Sequence, residues 1–156
     1  MRRILEPFSN AAYWLIWPAL YFIISGSHRT RVLVILGDKV LVMKNFLGDG
    51  RWSLPGGGIH KHEGSTVGAA RELAEETAIK LKPGQLKFLG ARPCTNRGIT
   101  YTAHYFVAHL DNTPTTKPNL EVIQLYWAKP AELTTETASP DVLAAMKMLD
   151  KQNQLL

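Results

Sequence analysis

Three glutamates and one arginine, grouped within six residues, are the side chains in this sequence best suited to chemistry. They stand in the segment RELAEE as Arg71, Glu72, Glu75 and Glu76. On a helix, Glu75 and Glu76 would follow Glu72 by three and four residues, which places the three carboxylates on one face about 5–6 Å apart. Like charges this close repel and raise one another's pKa values, and a hard dication such as Mg²⁺ relieves the repulsion through oxygen ligands. The spacing therefore predicts a divalent-metal site, with Arg71 paired to Glu75 four residues later.

A glycine-rich loop stands ahead of this helix. Gly56, Gly57 and Gly58 follow Pro55 directly, and they allow the backbone to approach a phosphate closely and to present amide or carbonyl groups to an anion or a metal. Gly57 and Gly58 are therefore candidate substrate-binding residues. The alternatives are a plain turn after Pro55 and, for the glutamates, an ordinary solvated helix face with surface ion pairs.

Residues 57–79, GGIHKHEGSTVGAARELAEETAI, resemble the Nudix box, whose pattern is G-x5-E-x7-R-E-U-x-E-E-x-G-U with U a bulky aliphatic residue. The matching positions are Gly57, Glu63, Arg71, Glu72, Leu73, Glu75, Glu76 and Ile79. At average residue frequencies such a match arises in on the order of one chain in a million, which outweighs the interpretation as a plain acidic helix. The segments WSLPGG at 52–57 and LYWAKPAEL at 125–133 also look like landmarks of the family.

The resemblance implies an enzyme that hydrolyses a diphosphate linkage in a nucleoside diphosphate joined to another moiety, with Mg²⁺ as cofactor and Mn²⁺ as its substitute. It assigns Glu72, Glu75 and Glu76 as metal ligands, joined by a backbone carbonyl of Gly56 or Gly57. Water would attack a phosphorus atom while the metal polarises the phosphoryl oxygens. Glu72 or Glu76 would take the proton from that water.

Contacts outside the box are predicted from position and charge. Many relatives add a carboxylate from a later loop, and Glu121, just before a strand-like run, is the candidate here. Arg92 and Arg97 lie around a loop that would face the pocket and hold a substrate phosphate. Two alternatives to a nucleotide or nucleotide-sugar hydrolase stay open: a pyrophosphohydrolase acting on RNA 5′ ends, which is not favoured, and a non-catalytic nucleotide-binding or membrane-tethered sensor, against which the intact glutamates argue.

Ala78 is the one departure from the pattern, because the family has glycine at this position. Glycine at a helix end supplies a left-handed backbone, which costs alanine on the order of 1 kcal/mol. We therefore expect either a different exit from the helix or a degenerate box. Because the catalytic-type charges are retained, an active enzyme is the favoured prediction.

Predicted strands and helices alternate along the chain, and they must position these residues. β-branched runs at 30–36 and 39–44, split by Gly37 and Asp38, predict a hairpin. Ser65, as N-cap, would start a helix over 65–77. Further strands are predicted at 52–54, 86–93, 101–110 and 122–128, a short helix at 130–133 and an amphipathic helix at 141–149. The prediction is an α+β fold, specifically a mixed α/β/α sandwich with a catalytic helix after a glycine-rich loop.

Bulk composition limits the class of protein. The 156 residues fit one catalytic domain, assigned to 28–156, and a single cysteine, Cys94, excludes an internal disulfide framework. A reducing, cytoplasmic setting is expected. The net charge of +5 favours anionic partners, here a nucleotide-like diphosphate substrate.

Residues 1–27 differ from the rest of the sequence. From Pro7 to Ser27 no side chain is charged, and 11–24 is apolar or aromatic throughout. This segment predicts an N-terminal hydrophobic and aromatic helix. Its alternatives are contact of residues 8–27 with a membrane surface, packing on the domain, or packing on a second subunit in a homodimer.

Overall fold

The computed structural model describes residues 24–46, 48–96 and 98–155. In this part of the chain the strands are β1 (His28–Leu36), β2 (Lys39–Asn45), β3 (Lys87–Asn96), β4 (Ile99–Leu110) and β5 (Val122–Ala128). The helices are α1 (Ser65–Thr77) and α2 (Pro140–Asn153), with short 3-10 turns at Pro83–Gln85 and Pro130–Glu132.

The strands form one mixed sheet in the order β3-β4-β1-β2-β5. β1 runs parallel to β4, and the other neighbouring pairs are antiparallel. The predicted hairpin between β1 and β2 is present, with Ile35 opposite Val40. Gly37 turns it with a φ of 58°, a conformation that favours glycine.

Alternating residues of the central strands divide the core into two layers. Val32 and Val34 of β1 face α1 and pack in one cluster with Leu73, whereas Leu33 faces the other way and packs with Val142 of α2. Because successive side chains of a strand point to opposite faces, one helix covers each face of the sheet. The predicted mixed α/β/α sandwich is confirmed.

Some local predictions differ from the structure. Helix α1 has the predicted bounds, but its N-cap is Gly64, which is extended and makes no side-chain cap, so the prediction for Ser65 is wrong. The predicted short helix at 130–133 is present as a 3-10 turn at Pro130–Glu132. α2 extends to Asn153, beyond the predicted end, because polar residues continue a helix that the apolar periodicity alone does not mark.

The predicted N-terminal helix lies mostly outside the described residues, which begin at residue 24. From there Ile24 packs partly buried against the core on the α2 side. The N–H of Gly26 donates to the carbonyl of Thr100 at 2.8 Å, and the N–H of Thr102 donates to the carbonyl of Ser27 at 2.9 Å. Over the ranges described, no helix has the length and apolar character that crossing a membrane requires.

Candidate active site

The loop between β2 and α1 fills a gap between β1 and β2. These strands pair at their hairpin end and are bridged further along by the loop. Ser53 exchanges both backbone hydrogen bonds with Met43 of β2 at 2.9 Å, and the carbonyl of Gly57 accepts from the N–H of Thr30 in β1 at 2.8 Å. The glycine segment is therefore held by the sheet on both sides.

Two adjacent glycines in this loop are required for different reasons. Gly56 has a φ of 140°, and a Cβ placed on it would lie 2.2 Å from the carbonyl oxygen of Thr30. A Cβ on Gly57 would lie 2.5 Å from the carboxylate carbon of Glu72. The first position is therefore constrained by backbone, and the second leaves room for a carboxylate of α1.

A cavity of about 250 Å³ opens beside this loop. Its charged lining comes from three parts of the chain, as Arg29 and Arg31 of β1, Glu72 and Glu76 of α1, and Glu121 before β5. Gly56, Gly57 and Gly58 complete the wall between β1 and α1. The structure thus brings the predicted residues Gly57, Gly58, Glu72, Glu76 and Glu121 to one cavity.

Glu76 lies deepest among these carboxylates, with 6% of its surface exposed. Its Oε2 accepts the N–H of Gly56 at 2.7 Å. Burial raises the pKa of Glu76 to about 7, and although the Gly56 N–H opposes this, the nearby charges of Glu72 and Glu121 add to it. A buried carboxylate beside two others is a site that a cation would stabilise.

Arg71 joins the loop to the helix. It donates from Nε and Nη2 to the carboxylate of Glu63 at 2.9 and 3.0 Å, and from Nη2 to the carbonyl of Gly58 at 2.9 Å. Its Nη1 donates to Glu72 at 2.8 Å and to Glu75 at 3.2 Å. The expected pair with Glu75 is therefore present, but the shorter contacts fix Glu63 and Glu72, which makes Arg71 a positioning residue.

Glu63, the first glutamate of the family pattern, is the main hydrogen-bond partner of this arginine. The hydrogen bonds from Arg71 and from the backbone N–H of His60 lower the pKa of Glu63 to about 2. The carboxylate therefore stays ionised at any ordinary pH and holds the end of the loop, just before α1, against Arg71 of that helix.

Among the described residues, Glu75 and Arg92 are two further predicted residues that, like Arg71, are not part of the cavity wall. Glu75 is exposed, with 56% of its side chain accessible, and it lies beside Arg71. Arg92 is exposed on β3, in register with Ala103, and is not part of the cavity wall. Arg97 lies outside the described residues.

Arg31 is a lining residue that the sequence analysis did not single out. Its Nε donates to Oδ2 of Asp141 at 2.8 Å, and Asp141 also accepts the hydroxyls of Tyr101 and Tyr105 at 3.1 and 3.0 Å. A signal was available, because Arg29 and Arg31 share a strand face with the buried Leu33. Two positively charged side chains on a strand face that points into the core indicate a polar cavity on that side.

Ala78 adopts the backbone of the glycine that it replaces. Its φ of 64° and ψ of 5° are left-handed, and its N–H donates to the carbonyl of Ala74 at 3.0 Å. The helix therefore ends with the left-handed backbone that glycine has in the family pattern. The alanine at this position is strained, and the exit of the chain from the helix is unchanged.

The donor chemistry of the cavity fits a hard divalent cation. Glu72, Glu76 and Glu121 supply carboxylates, and the carbonyl of Gly57 has one lone pair left after accepting from Thr30. Mg²⁺ is commonly held by one or two carboxylates with several retained waters. The cavity therefore has sufficient oxygen donors.

The carboxylates are turned toward protein donors in this arrangement. Among the described residues, no three His, Cys, Asp or Glu side chains are grouped closely enough to hold one ion as they stand. Glu72 is directed to Arg71, and Glu76 to the N–H of Gly56. Binding a cation would exchange these contacts for metal contacts through side-chain rotation.

Comparison with known proteins identifies the family. The model of the NUDIX domain matches residues 26–149. A MutT NUDIX hydrolase from Burkholderia pseudomallei is 18% identical with a TM-score of 0.70, the match covering 80% of this chain and 98% of that one. An Ap4A hydrolase from C. elegans, in a binary complex, is 16% identical with a TM-score of 0.67, covering 83% and 99%.

A third structure extends the comparison to a larger protein. The bifunctional NMN adenylyltransferase/ADP ribose pyrophosphatase from Francisella tularensis, complexed with AMP and a Mn ion, is 20% identical with a TM-score of 0.69, covering 94% of this chain and 47% of that one. No curated protein sequence gives a match.

The family match spans most of the chain and contains the glycine loop and α1, so this chain belongs to the Nudix family. It is a pyrophosphohydrolase, an enzyme that acts on acid anhydrides of phosphorus. At these identities the structural neighbours share its fold.

Proposed function

We propose that the protein hydrolyses the diphosphate linkage of a nucleoside diphosphate joined to another moiety, with Mg²⁺ as cofactor and Mn²⁺ as its substitute. The observation that carries this proposal is the convergence of Glu72 and Glu76 from α1, Glu121 from the loop before β5 and the glycine loop on one cavity.

The roles of the residues follow from their positions. Glu72 and Glu76 would hold the cation, with the carbonyl of Gly57 beside them. A bound Mg²⁺ supplies a Lewis acid that stabilises charge on phosphoryl oxygens and acidifies water. Glu76, which is buried, or Glu121, at the exposed side, is in a position to accept the proton of the attacking water.

Two side chains of the box act from outside the cavity. Arg71 holds Glu72 in place and anchors the carbonyl of Gly58. Glu75 is exposed and paired with Arg71, so it would join the ligand set only by exchanging that ion pair for the cation. Arg92, exposed on β3, would contact a part of the substrate that extends beyond the cavity.

The size of the cavity supports a substrate that is only partly enclosed. Its volume of about 250 Å³ is below the range of roughly 300–1,000 Å³ that encloses a drug-sized ligand. The diphosphate therefore fits inside, and the nucleoside and its partner moiety lie outside. Relatives described as an Ap4A hydrolase and an ADP ribose pyrophosphatase act on compounds of this class.

The experiment is a screen of the full chain against nucleoside triphosphates, diadenosine tetraphosphate, ADP-ribose, nucleotide-sugars and capped RNA, with Mg²⁺ or Mn²⁺. We expect cleavage of a diphosphate-linked compound that stops when EDTA removes the metal and returns when the metal is added back. Cleavage of capped RNA alone would favour action on RNA 5′ ends, and tight nucleotide binding without cleavage would favour a sensor.

A further inference from the structure

Strand β1 contributes two arginines to the cavity wall, but only one of them is hydrogen-bonded to other protein groups. Arg31 donates from Nε to Asp141 at 2.8 Å, and from Nη1 to the carbonyls of Thr30 and Gly56 at 2.8 and 3.1 Å. Its charge is therefore neutralised by Asp141 and its donors are used by the protein.

Arg29 lies two residues earlier on the same strand face and is partly buried. Within the ranges that the structure describes, its guanidinium makes no hydrogen bond or ion pair, and its nearest described partner is the ring of Tyr101, 6.0 Å from Cζ. Burial lowers the pKa of Arg29, the like charge of Arg31 lowers it further, and the fields of Glu72 and Glu76 act in the opposite direction.

A guanidinium that is partly removed from water and has unused donors needs an explanation, because desolvation of an unpaired charge is costly. The backbone of Arg29 is held in place by its bridge to Gly58. A second polar group on the same cavity is also unsatisfied: Oδ1 of Asn45 is buried without a partner among the described residues. Two unpartnered groups on one cavity indicate that it is built for a polar ligand.

We propose that Arg29 binds a phosphoryl group of the substrate on the β1 side of the cavity, opposite the carboxylates of α1, whereas Arg31 is structural. A guanidinium presents a planar fork of N–H donors that pairs with two phosphate oxygens at once. This inference rests on the proposed function in one respect, namely that the ligand carries a diphosphate. It makes Arg29 a substrate-binding residue and leaves cation binding to the glutamates.

The test compares the full-length Arg29→Gln and Arg29→Lys variants with the wild-type protein. Methylenediphosphonate, whose P–C–P bridge resists hydrolysis, serves as the anion, and its affinity in the presence of Mg²⁺ is measured by calorimetry. Affinity for Mn²⁺ alone is measured by electron paramagnetic resonance. Arg51→Gln is the matched control, because Arg51 pairs with Asp49 in a loop outside the cavity.

R29Q is expected to bind methylenediphosphonate about ten- to a hundredfold more weakly, the loss that a charge-assisted hydrogen bond implies. Its affinity for Mn²⁺ should be unchanged or higher, because removal of a nearby positive charge favours a dication. R29K keeps the charge but not the fork and should bind the anion about three- to tenfold more weakly. R51Q should match the wild-type protein in both measurements.

Equal anion affinity in R29Q and wild type, or no binding of methylenediphosphonate by the wild type, would overturn the proposal. A parallel loss of anion and Mn²⁺ affinity would also overturn it, since that pattern indicates a structural role. If R29Q does not fold, R29K decides, and wild-type anion affinity in R29K contradicts the proposed fork. Failure of every hydrolysis assay while these binding differences hold would reject the proposed function and leave the role of Arg29 standing.

Discussion

At the residue scale, two carboxylates of the cavity are each held by a specific donor of the protein. Glu72 is held by Arg71 and Glu76 by the N–H of Gly56. These contacts separate two like charges in a partly buried site, where their repulsion is strong. A cation held by Glu72 and Glu76 would take the place of these positive or partly positive donors.

Alanine substitutions at Gly56 and Gly57 should have different effects, one on the stability of the fold and the other on catalytic activity. Gly56→Ala drives a Cβ into backbone of β1 and imposes an unfavourable φ, and it should lower the free energy of unfolding by about 1–3 kcal/mol or prevent folding. In Gly57→Ala the atoms nearest to the new Cβ are those of the Glu72 carboxylate, which can rotate. We expect it to fold normally and to lose about a hundredfold in kcat/KM through displacement of that carboxylate.

Urea unfolding and turnover of the two variants provide the measurement. The reverse pattern, in which Gly57→Ala unfolds while retaining activity per folded molecule, would contradict the assignment of Glu72 to the metal site. Gly84→Ala, in the 3-10 turn Pro83–Gln85 outside the cavity, is the matched control, because a Cβ there meets no heavy atom within 4 Å.

At the element scale, the end of α1 carries strain that the family pattern avoids. Ala78 is left-handed with a φ of 64°, so Ala78→Gly should raise the free energy of unfolding by about 1 kcal/mol and leave kcat/KM unchanged. Ala131→Gly, in the exposed 3-10 turn Pro130–Glu132, relieves no such strain and should be neutral or slightly destabilising. A decrease in stability in the Ala78→Gly variant would show that the helix exit is not strained.

The bounds of elements were predictable where the signals are local. The hairpin at Gly37 and the span of α1 follow from alternation and helical spacing, and the structure confirms both. The N-cap was missed because Gly64 adopts the capping backbone without offering a side chain. Local patterns report backbone preferences well and cannot show which of two adjacent residues takes the cap position.

The site was only partly predictable for a different physical reason. Glu72 and Glu76 reach the cavity as helical spacing indicates, but Glu75 does not. Relative to Glu72, a residue three positions on lies about 60° to one side and a residue four positions on about 40° to the other, so Glu75 and Glu76 point about 100° apart. Arg29 enters the cavity because the glycine loop separates β1 from β2, which is a long-range arrangement. No local pattern reports such a gap.

At the scale of the whole molecule, one buried carboxylate joins the sheet to α2. Asp141 accepts from Arg31 of β1 and from Tyr101 and Tyr105 of β4. Burial would raise the pKa of Asp141, but the charge of Arg31 and these hydrogen bonds outweigh it and hold the pKa below its ordinary value of 3.8. The network fixes the wall of the cavity from behind.

Asp141→Asn should lower the free energy of unfolding by about 3 kcal/mol at neutral pH, because it leaves Arg31 buried without a counter-charge. Since the pKa of Asp141 is depressed by folding, its stabilisation is fully present above the ordinary value and is lost as the pH falls through the folded value. The difference between wild type and variant should therefore shrink below about pH 4. Unfolding curves at a series of pH values test this, and a difference that grows toward acid would contradict the account.

The central claim is that the carboxylates of this cavity hydrolyse a diphosphate linkage with the help of a divalent cation. The most direct measurement is Mg²⁺-dependent turnover, on the best substrate of the screen, by wild type, Glu76→Gln and the exposed loop control Glu136→Gln. We predict that E76Q folds normally and loses about 10²- to 10⁴-fold in kcat, whereas E136Q retains wild-type turnover. Near-normal turnover by E76Q, or turnover by the wild type that persists without a divalent metal, would contradict the claim.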